Sequence, residues 1–158
     1  MGAVTQQVEV WTLGVGEARL VDVVHLVDDY RVHYGAPSDP AGTERWLRGT
    51  ASRAQLRCYL ASTPPANAVA VGVALVFPAP MTLLLDELWV LRDLYVASGH
   101  RGQGVGRTLV TRVLDDARAA GVPRMSLQTE PDNDAARALY RSLGFIAPEG
   151  VVALSLAL

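Results

Sequence analysis

The sequence contains no lysine, which is a bias of composition only. It also has only one cysteine and no apolar run long enough to cross a membrane, and these two absences narrow the class of protein. A single cysteine, Cys58, excludes an intrachain disulfide, which fits a reducing compartment. A membrane-spanning helix needs about 20 apolar residues, and the first residues lack the charged and apolar regions of a signal peptide. We therefore expect a cytoplasmic protein with no membrane partner.

An excess of either charge is also absent, since the formal net charge is −2 and the pI is about 5.9. A nucleic-acid-binding protein would present a basic face or stripe, so we expect no nucleic-acid partner. Half of the 158 residues are hydrophobic, which predicts one globular domain over residues 1–158. Cys58 lies in an apolar run and is interpreted as a core residue, and no metal site is predicted.

The chain does contain an ordered succession of strand and helix patterns. Strands are predicted over residues 8–13, 56–62, 68–77, 83–96, 125–130 and 151–158, and helices over 17–34, 43–50, 104–120 and 135–143. Thr43 is the predicted N-cap of the second helix. An antiparallel meander followed by strand–helix–strand crossovers predicts an α/β (α+β) fold, with a mixed, mostly antiparallel central sheet and helices on both faces.

The stretch that organises the chain is residues 91–108, where a strand pattern passes through a glycine-rich turn into a helix. Gly102, Gly104 and Gly106 alternate, so the backbone can approach a ligand with no Cβ in the way. Backbone N–H groups at a helix start, together with the positive end of the helix dipole, suit a phosphate. The spacing fits neither the P-loop nor the dinucleotide fingerprint, but it predicts a cradle for a pyrophosphate.

Two motifs resemble a known family. The pattern [QR]-x-x-G-x-[GA], met from Arg101 to Gly106, resembles motif A of the GNAT superfamily of acetyl-CoA-dependent N-acetyltransferases. The pattern N-x-x-A-x-x-L-Y-x-x-L-G-F, met over residues 133–145, is similar to motif B of that superfamily. The predicted order of elements is also the GNAT order. The resemblance implies a GNAT-like fold and an acyltransferase that uses acetyl-CoA (coenzyme A).

The resemblance also implies which residues bind the cofactor. The pantetheine arm would pair with the strand backbone before the turn, the pyrophosphate would meet the amides of the turn, and Asn133 and Tyr140 would flank the arm. The implied set is Leu94, Tyr95, Val96, Arg101, Gly102, Gln103, Gly104, Val105, Gly106, Arg107, Thr108, Asn133, Ala136 and Tyr140. The phenol of Tyr140 is the predicted catalytic acid, because its pKa near 10 suits protonation of a departing thiolate.

The general base is not assigned by the sequence. Strand alternation places Val90, Arg92 and Leu94 on one face, and the glutamate of many GNAT enzymes would fall at Val90 or Arg92, neither of which can serve. Asp93 has the opposite parity unless a bulge shifts it, and it is interpreted as a structural carboxylate. The other acids that could act through water are Asp28, Asp29, Asp39 and Glu130.

Three residues are predicted to contact the acceptor. Arg92, on the same strand face as Leu94, would pair with a carboxylate and repel a polyamine, although a surface arginine is an equal alternative. Tyr30 and Tyr34 belong to a stretch that resembles the YRxxY segment of GNAT enzymes that acylate small amines and free amino acids. The predicted function is transfer of an acetyl group from acetyl-CoA to a primary amine of a small molecule, with an amino-acid-like acceptor as one candidate.

Two other functions stay open at this point. One is a protein acetyltransferase that acts on N-termini or lysines, and the other is an acyl-CoA-binding module without transfer activity. The missing strand glutamate favours the second of these. Formation of a homodimer is also left open by the sequence.

Overall fold

The structure is a computed structural model that describes residues 6–13, 18–54, 56–64 and 68–157. The chain divides into two compact units, residues 1–128 and residues 129–158. The first contains strands β1 (Glu9–Leu13), β2 (Arg57–Ser62), β3 (Ala70–Met81), β4 (Asp86–Val96) and β5 (Met125–Leu127), and helices α1 (Leu20–His33), α2 (Pro40–Ala54) and α3 (Val105–Ala119). The second contains helix α4 (Asp134–Ser142).

The five strands form one sheet in the order β1-β2-β3-β4-β5. The first four are antiparallel to their neighbours, and β5 is parallel to β4. One face of the sheet packs on α1 and α2, whose buried Val23, Val27 and Leu47 form one core cluster with Val73 and Leu75 of β3. The other face packs on α3. The predicted mixed sheet with helices on both faces is confirmed.

Helix α3 lies very close to the sheet because β3 has a glycine beneath it. A Cβ at Gly72 would stand 3.0 Å from Leu109 Cδ1 and 3.1 Å from the Tyr95 carbonyl oxygen. Both distances are tighter than nine in ten real Cβ contacts, so an alanine here would require Leu109 or the Tyr95 backbone to shift by a few tenths of an ångström. Since α3 begins at the glycine turn, this contact also fixes where the turn lies above the end of β4.

Helix α2 begins earlier than predicted, and Thr43 is not its N-cap. The Asp39 carboxylate caps the helix by accepting the N–H of Gly42 at 2.8 Å, and Pro40 occupies the first helical position, where no N–H is needed. A Cβ on Gly42 would collide with that carboxylate. The predicted start at residue 43 is therefore three residues late.

The predicted last strand is wrong for the residues that the structure describes there. Residues 151–157 adopt no strand, and their apolar side chains are exposed, with Val151 at 70% and Leu154 at 92%; Leu158 lies outside the described residues. Strand propensity reflects packing against neighbours more than a backbone preference, so an apolar pattern alone does not ensure pairing. Within the described residues, no helix combines the length and hydropathy that a membrane span requires.

Candidate active site

A β-bulge in β4 decides which side chains of this strand face α1 and α2. The antiparallel register pairs Leu75 of β3 with Asp93, but its next residue, Val76, pairs with Leu91. Arg92 is therefore the extra residue of the bulge, and it is exposed. Beyond it, Asp93 takes the face of its partner Leu75, which is the face of α1 and α2. The alternation on which the expectation for Arg92 was based is thus wrong, because a bulge reverses the parity.

Asp93 lies in a half-buried environment with few compensating charges. Burial raises the pKa of its carboxyl above the ordinary aspartate value, while a hydrogen bond with the Tyr30 side chain and the charge of Arg92 oppose part of this rise. A carboxylate with a raised pKa is a better proton acceptor than an ordinary surface aspartate. The structural-carboxylate interpretation of Asp93 is replaced by that of a candidate base.

Asp93 lines a cavity of about 380 Å³ between α1, α2 and the sheet. The lining residues are Val27, Tyr30, Arg31, Asp39, Gly42, Thr43, Trp46, Leu75 and Asp93. Leu75 and Thr43 are buried, whereas Trp46 is 48% exposed and Asp39 is exposed as well. The cavity therefore runs from a buried inner end to solvent, and its volume suits a small molecule.

The wall of the cavity is held together by Asp28, which is only 4% exposed. Its carboxylate accepts hydrogen bonds from the Ser38 hydroxyl at 2.6 Å and the Asp39 N–H at 2.9 Å. It also accepts bonds from the Thr43 hydroxyl at 3.3 Å and the Arg31 guanidinium at 2.9 Å. The Ser38 bond is the largest of the effects that, despite burial, keep the pKa of Asp28 below its usual value. Asp28 is a structural carboxylate and not a base.

Sequence reasoning identified Tyr30 but missed most of the cavity. Tyr34 is the C-cap residue of α1, and its ring contacts that of Tyr30 edge-on at 4.9 Å between centroids, but it does not line the cavity, and neither does Arg92. Asp39 and Trp46 line the cavity but were not among the residues predicted to contact the acceptor. The available signal was Asp39 directly before Pro40, a pair that is typical of a helix start.

One edge of β4 is open where the resemblance predicts the pantetheine arm. Strand β5 pairs with β4 only at Trp89, Val90 and Leu91, and within the described residues no strand continues along that edge. The Ala97 N–H bonds to the Val71 carbonyl oxygen at 2.9 Å. Because polar groups alternate in an antiparallel pair, those of Val96 and Leu94 point to the open edge. This edge can accept an extended, amide-containing chain.

The glycine turn follows this edge directly. Residues 98–100 form one 3-10 turn, and α3 begins after Gly104, whose φ of 85° is left-handed. Gly102 has a φ of 72°, and a Cβ placed there would meet no atom within 4 Å. The first N–H groups of α3, from Val105 onward, have no partner inside the helix. This arrangement fits the pyrophosphate of coenzyme A, as the sequence predicted.

Polar side chains brace the turn. Arg101 Nε donates to the Val96 carbonyl oxygen at 2.9 Å, and Gln103 Nε2 donates to the Gly99 carbonyl oxygen at 2.9 Å. The Thr108 hydroxyl donates back to the Gly104 carbonyl oxygen at 3.3 Å. These contacts preorganise the backbone amides of the turn, which reduces the cost of binding.

The second unit contains the residues of the other motif. Asn133 is the N-cap of α4, and its Oδ1 accepts the Ala136 N–H at 3.2 Å. Tyr140 is 8% exposed, and its ring contacts that of Phe145 edge-on, with 5.8 Å between centroids. Asn133 therefore has a structural role within its own helix. The functional roles of Asn133, Ala136 and Tyr140 stay predictions.

The remaining candidate residues are Asp29, Glu130 and Cys58. Asp29 and Glu130 are exposed. Cys58 is 5% exposed, and burial raises the pKa of its thiol to about 12, which confirms a core residue and argues against a nucleophile.

The fold and both motifs define an acyl-CoA-dependent transferase, and comparison with known proteins establishes the family. The sequence matches the model of the Acetyltransferase (GNAT) family over residues 23–145. The chain therefore belongs to the GNAT family, and it is an N-acetyltransferase for which acetyl-CoA is the cosubstrate.

Individual relatives agree with this assignment. The chain is 28% identical over 130 residues to an uncharacterized N-acetyltransferase, YhfO, of Bacillus subtilis, covering 82% of this chain and 85% of that protein. It is 40% identical over 57 residues to the L-amino acid N-acyltransferase MnaT of Escherichia coli, covering 36% of this chain and 33% of that protein. A crystal structure of a probable acetyltransferase superposes with a TM-score of 0.83 and 27% identity over 97% of this chain and 98% of the other.

Proposed function

We propose that this N-acetyltransferase acts on a primary amine of a small molecule, and that the amine lies in the cavity beside Asp93. The observation that carries the proposal is the bulge at Arg92, which turns Asp93 into that cavity. The absence of a glutamate at Val90 or Arg92, which favoured a module without transfer activity, loses its force because Asp93 supplies a carboxylate.

Asp93 is the proposed general base. An amine in water is protonated at neutral pH and cannot attack a carbonyl until it loses a proton. Asp93 takes that proton, and the lone pair of the nitrogen then forms the bond to the acetyl carbon. The Tyr30 side chain, hydrogen-bonded to Asp93, orients the carboxylate toward the amine.

Acetyl-CoA supplies the acetyl thioester. An N–H of Leu94 or Val96 at the open edge of β4 polarises its carbonyl oxygen, as an oxyanion hole does. The carbon–sulfur bond then breaks, and the phenol of Tyr140 gives its proton to the sulfur. After the attack, the nitrogen loses a second proton. This proton replaces the one that the phenol has given to the sulfur. The role of Tyr140 is supported by the resemblance of its motif.

The backbone amides and side chains of Arg101 to Thr108 are proposed to bind the pyrophosphate. Asn133 and Ala136 are proposed to flank the arm beside Tyr140. An amino-acid-like acceptor is the class suggested by MnaT, but the matched region spans only about a third of each chain.

The test is release of coenzyme A thiol from acetyl-CoA in the presence of small amines, for wild type and Asp93→Asn. We expect the substitution to lower kcat by about 10²- to 10⁴-fold, as for loss of a general base. A higher pH should restore part of the rate, because it deprotonates the amine in solution. Acetyl-CoA binding by calorimetry should be unchanged.

Asp29→Asn is the matched control, since Asp29 is an exposed aspartate of α1 that does not line the cavity. Its kcat should equal that of wild type. Full activity of Asp93→Asn would remove Asp93 from the mechanism. Acetylation of peptides but of no small amine would favour a protein acetyltransferase, and binding of acetyl-CoA without turnover of any amine would identify a binding module.

A further inference from the structure

The cavity contains a second carboxylate that the proposed chemistry does not use. Asp93 lies toward the buried end, whereas Asp39 lines the same cavity from the loop before α2. Asp39 is exposed, so its carboxylate is open to a cationic ligand. One proton-accepting carboxylate suffices for the reaction, so the second is available for binding.

The positive charge at the cavity does not balance these acids. Arg31 is the basic residue among the lining residues, and its guanidinium is already 2.9 Å from Asp28. That pair is internally neutral. The side chains that line the cavity therefore carry a net negative charge, and the exposed Arg92 beside Asp93 offsets part of it from outside the lining. A net negative lining favours a cation and disfavours a carboxylate.

The orientation of Asp39 is fixed before any ligand binds. Its Oδ1 accepts the Gly42 N–H at 2.8 Å, and its other oxygen lies over Gly42, where any larger residue would place a Cβ. A carboxylate that is held by its own helix loses little freedom when a cation binds.

An aromatic side chain lines the cavity together with Asp39. Trp46, about two turns into α2, is 48% exposed, and its ring lies 6.5 Å from that of Phe77 between centroids. Tryptophan is the best aromatic partner for a cation, and the interaction contributes most where the site is partly desolvated. A carboxylate and an indole at one cavity mouth suit an ammonium group.

We propose that the acceptor carries a second ammonium group, which Asp39 and Trp46 bind while the reacting amine lies at Asp93. The inference rests on the proposed function and names its substrate class as diamines and related polycations. It reverses the preference expected from Arg92, which lies outside the cavity lining.

The experiment compares three acceptors with the same four-carbon chain: 1,4-diaminobutane, n-butylamine and 4-aminobutanoate. The far end of each molecule is an ammonium, a methyl or a carboxylate group. We expect kcat/KM to fall in that order. In Asp39→Asn, the ratio of kcat/KM for the diamine to that for butylamine should fall about five- to tenfold, as for a partly exposed charged hydrogen bond.

Asparagine is suited to this test because it is also a good N-cap, so α2 should remain intact and the melting temperature should be unchanged. Asp29→Asn, which removes an equal charge outside the cavity, should leave the ratio as in wild type. An equal fall in Asp29→Asn would mean that general electrostatics, and not Asp39, sets the preference.

The outcomes separate this inference from the proposed function. If butylamine or 4-aminobutanoate is the best acceptor, or if Asp39→Asn keeps the wild-type ratio, the second ammonium site is wrong while acetylation of small amines stands. If none of the three amines is acetylated although acetyl-CoA binds, the second ammonium site is wrong. If no other small amine is acetylated either, the proposed function is overturned as well.

Discussion

In the proposed function, the glycine turn and the acceptor cavity bind the two substrates of one reaction by different physical means. The turn consists of consecutive residues, Arg101 to Thr108, and offers mainly backbone N–H groups at the start of α3. The cavity takes its side chains from α1, the loop before α2, α2 itself, β3 and β4. Backbone amides suit one constant ligand, whereas separate side chains can be changed individually. The turn should therefore tolerate few substitutions, and the cavity should control specificity.

The strongest way to break the turn alone is Gly104→Val. A β-branched residue at a φ of 85° is strained by about 1–3 kcal/mol, and its side chain would stand where the backbone must approach the pyrophosphate. We expect acetyl-CoA affinity, measured by calorimetry, to fall about 10²-fold or more. A fall of that size corresponds to the upper end of the strain energy.

Gly99→Val is the control for this substitution, because a Cβ at Gly99 meets no atom within 4 Å and its φ is not in the left-handed region. Its affinity should be close to that of wild type. Normal binding by a folded Gly104→Val protein would show that the cradle lies elsewhere.

Tyr140→Phe tests the proposed catalytic acid, which belongs to neither the turn nor the cavity. Loss of a general acid should lower kcat about 10²-fold, with acetyl-CoA affinity unchanged because the ring remains. Tyr34→Phe, at a tyrosine that does not line the cavity, should keep the wild-type kcat. If the two variants are equally active, Tyr140 is a packing residue beside Phe145.

Asp28→Asn should destabilise the cavity wall and leave the turn unchanged. An amide can accept fewer bonds than the carboxylate and brings an N–H₂ group against donors, so we expect unfolding free energy to fall by about 2–3 kcal/mol. Urea unfolding measures this loss, and Asp29→Asn should show no comparable change.

Because the pKa of Asp28 is lowered by folding, its contribution to stability is present above the unfolded-state pKa and is lost as the pH falls through the folded-state pKa. The variant should therefore lose less stability than wild type on acidification.

Arg92→Ala gives the smallest expected effect and sharpens the assignment of Asp93. The charge of Arg92 lowers the pKa of Asp93, so its removal should move the acidic limb of kcat/KM slightly to higher pH, since an exposed charge is well screened. Arg92→Lys should keep the limb near its wild-type position. An increase in KM for carboxylate-bearing acceptors with no movement of the limb would instead support direct contact of Arg92 with the acceptor.

Much of the fold and all of the turn could be predicted from the sequence, because each depends on local chemistry. Gly102, Gly104 and the strand before them lie within one short segment, and their backbone preferences hold wherever the segment is placed. The same is true of Asn133, whose side chain caps the helix that directly follows it. Helix and strand periodicities likewise identified every helix and strand described for the first unit, although residues 40–42 and 51–54 of α2 were missed.

Only the tertiary structure decided the acceptor side. Alternation along residues 88–96 predicts two faces but not the register with β3, and a one-residue bulge at Arg92 exchanges the faces beyond it. Both Arg92 and Asp93 are charged, so hydrophobicity could not reveal which of them faces the helices. Asp28 and Asp39 similarly acquired their roles from a loop that folds back onto α1. A base or a specificity residue of this kind depends on contacts between segments distant in the chain, and those contacts exist only once the sheet and helices have packed.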